Sequence, residues 1–183
     1  MVLRCDAVRP LVVVALLVVA STWQWLRGKS WRDVAHGPPL AAVLGAVAGV
    51  VALALAVAAT PLVERITDAA VQWSTYPVVR GSVASFSAVA AVVVAIAVAS
   101  ELVMRGWIVE TVLEFGGHRV LAIAAGALVE ALLADGGRPG AAVFGVALGM
   151  MYLGAGRSVV APICARVAFS LGALVLEALR VVG

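Results

Sequence analysis

The sequence predicts an all-α fold, a polytopic membrane bundle of about six transmembrane helices. Two observations lead there. Of the 183 residues, 64% are hydrophobic and only 13% are charged, against roughly 45–50% and 25% in soluble domains. The mean hydropathy is +1.12, and at ~20 residues per span the chain holds about six helices joined by short loops. Nearly all of its length therefore lies in the bilayer, as one membrane domain with no soluble module. The net charge of +3 comes from basic residues scattered singly among loops, which suits anionic lipid headgroups and not nucleic acid. Cys5 and Cys164 lie far apart and read as free thiols.

Helix 1 is expected over Pro10–Leu26, with proline in a first turn where its missing N–H has no intrahelical partner. Val18-Val19-Ala20 is a poor cleavage site, and the apolar run continues past it to Trp23 and Trp25, so this is read as a retained helix and not a cleaved leader. A polar loop, Arg27–Pro38, leads to helix 2, from Pro38-Pro39 to about Pro61, with a GxxxG pair at Gly45 and Gly49 that permits close helix approach. Leu62–Gly81 reads as an interfacial segment with a turn at Pro77. Helix 3 is expected from about Ser82 to Arg105, followed by an amphipathic stretch, Trp107–Phe115, lying at the interface. Helix 4 covers about Arg119–Ala134, Asp135–Gly140 is a loop, helix 5 covers about Ala141–Gly154 with a second GxxxG pair at Gly145 and Gly149, and helix 6 covers about Val159–Val182. Two regions follow: residues 1–81, with two helices and the interfacial segment, and residues 82–183, with four. On this plan the basic residues divide evenly between the two sides, so positive-inside counting gives no orientation; burial of Arg105 tips the balance toward cytoplasmic termini.

Four charges fall inside helices: Glu101, Arg105, Glu130 and Arg166. An isolated charge at mid-bilayer costs ~3 kcal/mol or more, and mutual pairing is the cheapest remedy. Glu101 and Arg105 share a helix face at i,i+4. The four form either a neutral lock between helices or the wall of a polar cavity that binds or processes a ligand. The only histidines, His36 and His118, lie in predicted loops, and no HxxxH, HExxH or Cys/His cluster exists. The residues thus predict no zinc site and no cofactor. Ser100 and Ser170 have no neighbouring histidine or lysine to activate them.

The stretch Ser100-Glu101-Leu102-Val103-Met104-Arg105-Gly106 resembles the EExxxRG motif of the CAAX protease and bacteriocin-processing (CPBP, or Abi) intramembrane metalloproteases. Phe144–Leu153, containing Gly145, Gly149 and Tyr152, resembles that family's FGxxxGxxxxY-like helix, and Ala161–Ser170 resembles its APxxxHxxxN segment. Order and spacing agree from Ser100 to Ser170. The resemblance implies a CPBP-like core in helices 3–6 and a peptidase site. The departures imply a degenerate one. Ser100 stands where the family has its water-activating glutamate, Arg166 replaces a histidine, Ser170 replaces an asparagine, and helix 4 offers Glu130 but no histidine. Arginine stays protonated and accepts nothing, so it cannot replace histidine as base or ligand.

Three functional readings result. The first is an inactive, protease-like binding or accessory subunit serving another membrane protein or a peptide or lipidated segment, with Ser100, Glu101, Arg105, Glu130, Arg166 and Ser170 around its polar cavity. The second is an active CAAX-like endopeptidase using Glu101 or Glu130 as base. The third is a small transporter or a structural subunit of a membrane complex. The Ala/Val/Gly/Arg bias suits a GC-rich bacterium and hence a bacterial inner membrane.

Overall fold

The computed structural model describes residues 8–67, 83–134 and 138–182. Among them every regular element is helical: α1 (Val8–Leu26), a single 3₁₀ turn at Trp31–Asp33, α2 (Pro39–Thr67), α3 (Val83–Glu101), a π-helical run (Leu102–Val109), α4 (Glu110–Glu114), α5 (Arg119–Leu133), α6 (Arg138–Gly154) and α7 (Val160–Val182). Three helical stretches are long and apolar enough to cross a membrane: Pro39–Ile66, Phe86–Glu114 and Val160–Leu179. Leu11–Leu26 and Pro139–Gly154 are shorter apolar helices. At 15 residues, α5 spans only ~22 Å of a ~30 Å hydrocarbon core. The chain is an integral membrane protein with a helical bundle fold.

Its outer face is the side chains that a soluble protein would hide. Val43, Leu44, Val47, Val50, Val51 and Leu55 of α2 are all exposed, which is the expected coat toward lipid, whose tails are as apolar as they are. The opposite side of α2 runs parallel to α7 at backbone contact. A Cβ on Gly45 would stand 2.9 Å from Ala161 Cα, and one on Gly49 would stand 2.9 Å from Ala165 Cα. Only glycine leaves room for that approach. The second pair works inside the bundle too: Gly145 faces Ala127 of α5, and Gly149 faces Ile123. Both GxxxG surfaces are therefore used in contacts within the chain.

Three boundaries differ from the sequence expectation. First, α2 does not stop at Pro61 but continues to Thr67. Pro61 gives up one helical donor there, and Thr60 Oγ1 just before it donates back to its own helix at Ala56 O, 3.0 Å. The rest of the expected interfacial segment, with its turn at Pro77, lies outside the described residues. Second, Trp107–Phe115 is not a separate interfacial helix. The backbone passes from α3 through the π-helical run into α4 without a break, and Val109 and Glu110 are buried. Third, α6 starts at Arg138 and not Ala141, since Pro139 is preorganised for a first turn and gives up no needed donor there. The turn after α6 is also tied to the loop after α1. Val159 N donates to Val34 O at 2.9 Å, and Ser158 Oγ donates to His36 O. These connections put residues 27–38, the end of α4 and the α6–α7 turn at one end of the bundle.

Candidate functional site

The π-helical run is where the site begins. Its i→i+5 bonding widens the helix, a feature that recurs at functional positions. Gln24 of α1 reaches across and donates from Nε2 to the Gly106 carbonyl at 3.1 Å. Gly106 also lets the Trp31 ring close in, 3.0 Å from where a Cβ would stand, while Trp31 Nε1 donates to Ser21 Oγ at 3.2 Å. The loop after α1 and α1 itself thus brace the turn that presents Arg105.

Around that turn the structure brings the four intrahelical charges into one closed ring. Arg105 Nη1 lies 3.1 Å from Glu101 Oε1. Arg105 Nη2 lies 3.0 Å from Glu130 Oε2, as an ion pair without hydrogen-bond alignment, and donates to Gly145 O at 2.8 Å. Arg166 donates from Nε to Glu101 Oε1 and from Nη2 to Glu130 Oε1. Charges alternate around the ring and cancel. Glu101 and Arg105 are fully buried, and Glu130 and Arg166 nearly so. Desolvating each ion costs several kcal/mol, which only close, hydrogen-bonded pairing offsets. The Arg166 guanidinium also lies 5.5 Å from the Phe144 ring centroid, a cation–π contact, and Phe144 in turn packs 4.9 Å from Phe169.

Not every atom of the ring is satisfied. Glu101 Oε2 and Arg105 Nε are buried without a hydrogen-bond partner. Beside the ring lies a cavity of about 20 Å³ lined by Val13, Ile96, Ser100, Met104, Glu130, Leu133 and Arg166. That is room for about one water and not for a peptide. Ser100 lines it, but its hydroxyl donates back to its own helix, at Ile96 O and at Ala97 O (3.3 Å). Ser170, one turn beyond Arg166 on α7, is half-buried and does not line the cavity. The site therefore brings Ser100, Glu101, Arg105, Glu130 and Arg166 together and leaves Ser170 aside.

The resemblance to intramembrane metalloproteases implies a metal, and the residues do not fit one. Among the described residues no group of three or more His, Cys, Asp or Glu stands where it could hold an ion. The two carboxylates face guanidinium groups, which are cations with no lone pair to offer. No step through a metal follows from this arrangement.

A second polar assembly was not foreseen from the sequence. Glu110, buried, accepts from the Tyr152 hydroxyl and from Arg157, with Arg157 Nε at 2.7 Å. That hydrogen bond holds the Arg157 guanidinium above its ordinary pKa. Arg157 adopts φ +66°, a left-handed backbone rare for a residue with a side chain. Tyr152 was visible in the sequence as part of a motif-like helix, but its partner was assigned to an interface. Cys164 is a free cysteine and half-buried.

No curated protein and no solved structure matches the chain. Residues 82–172 match the family model described as Type II CAAX prenyl endopeptidase Rce1-like. The matched segment runs from α3 into α7 and contains the whole charged ring. Through residues 82–172 the chain belongs to the Rce1-like CAAX prenyl endopeptidase (CPBP) family.

Proposed function

We propose that this chain is a proteolytically inactive member of its family, a binding or accessory subunit for another membrane protein or a peptide or lipidated segment in a bacterial inner membrane. One observation carries the reading: Arg166 engages Glu101 and Glu130 together. A general base must accept a proton from water within hydrogen-bond reach. Here one oxygen of each carboxylate is held by Arg166, a cation that cannot relay a proton, while Glu101 Oε2 and Glu130 Oε2 are buried and accept no hydrogen bond. The cavity beside them, about 20 Å³, has room for a water and not for a scissile bond.

The test is cleavage of a prenylated CAAX peptide by the purified chain in proteoliposomes. The expected result is no turnover above protein-free vesicles, with stoichiometric recovery of a membrane partner by gentle-detergent affinity purification. Turnover that disappears in Glu101→Gln while the unfolding midpoint holds would establish an active endopeptidase and overturn the proposal.

A further inference from the structure

At the end of the bundle where α1, α4 and the α6–α7 turn meet lies a second cavity, an open cleft of about 370 Å³. It is independent of the buried ring. Lys29, Asp33, Glu110, Glu114 and Arg157 all line it, with Gln24 at its inner wall. The cations and carboxylates are matched in pairs: Lys29 with Glu114, and Arg157 with Glu110. Arg27 adds a second cation to Glu114 from outside the lining. Asp33 also caps the 3₁₀ turn, accepting from Ser30 N at 2.8 Å.

This wall selects by charge. A purely anionic ligand meets three carboxylates, and a purely cationic one meets Lys29 and Arg157. A ligand with both signs can join the existing pairs without leaving a like charge opposed. Arg157 has donors to spare, since its side chain is half exposed and Glu110 occupies only part of its fork. A phosphate suits that fork. The carboxylates call for an ammonium that donates hydrogen bonds, which a primary amine does and a quaternary amine does not. The left-handed backbone of Arg157 is a further sign: such strain persists where surrounding contacts fix a residue for a task.

The neighbouring chain indicates where such a ligand comes from. Trp25, Leu26 and Phe115 do not line the cleft but lie within two residues of Gln24 or Glu114, which do, and they are 76%, 67% and 75% exposed. Large apolar side chains beside a charged cleft at a helix end match the membrane–water boundary, where aromatic rings sit at headgroup level. We propose that the cleft binds the phosphoethanolamine headgroup of a membrane phospholipid, with Arg157 and Lys29 toward the phosphate, Glu110, Glu114 and Asp33 toward the ammonium, and the exposed apolar side chains nearby in the chain set at headgroup level.

The test uses the full chain reconstituted in vesicles of phosphatidylethanolamine, phosphatidylglycerol and phosphatidylcholine in equal parts with identical acyl chains. Mild extraction and native mass spectrometry then report the lipid that stays bound. Phosphatidylethanolamine is expected to be enriched about tenfold over phosphatidylcholine, a difference of about 1.4 kcal/mol. Lys29→Ala with Arg157→Ala should abolish that enrichment. Asp33→Asn with Glu114→Gln should move the preference to phosphatidylglycerol, a gain that misfolding cannot produce. Free O-phosphoethanolamine, titrated into lipid-depleted protein, separates the two sources of this chemistry. Weaker binding than the lipid supports the membrane source, and equal binding overturns it. Equal retention of the three lipids by the unaltered chain, or enrichment unchanged in both double variants, overturns the headgroup assignment.

Discussion

Replacing Arg166 by alanine is expected to destabilise the purified chain by about 3–5 kcal/mol, the cost of leaving a buried charge without its partner. The variant keeps Glu101, Arg105 and Glu130 in the same dry pocket, with two carboxylates facing one guanidinium. Thermal or denaturant unfolding in mild detergent reads the effect. Arg166→Lys should recover only part of it, because an ammonium is a point charge and cannot fork between two carboxylates as this guanidinium does. The decisive comparison is Arg166→Ala combined with Glu130→Gln. That pair restores neutrality and leaves Glu101 with Arg105, so it should be more stable than Arg166→Ala alone. If the double variant is no better than the single one, charge balance is not what holds α3, α5 and α7 together.

Gly49→Leu is expected to be the second most damaging change. The first side-chain atom already falls 2.9 Å from Ala165 Cα, against backbone that has nowhere to go. Overpacking of this kind costs about 1–3 kcal/mol, sometimes more, because whole elements must shift. Gly45→Leu should behave alike, and the two should couple because they wedge the same pair of helices. Gly140→Ala and Gly154→Ala are the controls, as neither new methyl group meets anything within 4 Å. Equal midpoints for the Gly49 variant and these controls would show that α2 and α7 are not held by backbone contact.

What could be read from the sequence follows physical range. Apolar runs report their own burial in lipid, so each of the helical regions was visible, as were the four charges too costly to leave alone at mid-bilayer. The motif-like order from Ser100 to Ser170 pointed to the family, and the match over residues 82–172 agrees with it. Partners distant in the chain were not visible. Glu110 looked like one charge of an amphipathic helix because Arg157 lies 47 residues away. With its partner hidden, Trp107–Phe115 was assigned to the interface when it continues α3. Pro61 looked like a terminus because a proline removes one helical donor, yet α2 runs through it to Thr67. Ser170 shares its helix with Arg166, yet one further turn was enough to carry it away from the cavity.

The ring also has an order of completion. A chain emerging into the membrane delivers Glu101 at the end of α3, Arg105 in the π-helical run and Glu130 on α5 before α7 exists. Until then the nascent bundle carries one uncompensated negative charge in hydrocarbon. Arg166 is both the last member of the ring to arrive and the one that neutralises the set, on a helix that must also slot its Ala161 and Ala165 against the Gly45 and Gly49 ridge of α2. Completion of the ring is thereby postponed until α7 is made, which makes that helix the keystone of biogenesis as well as of packing.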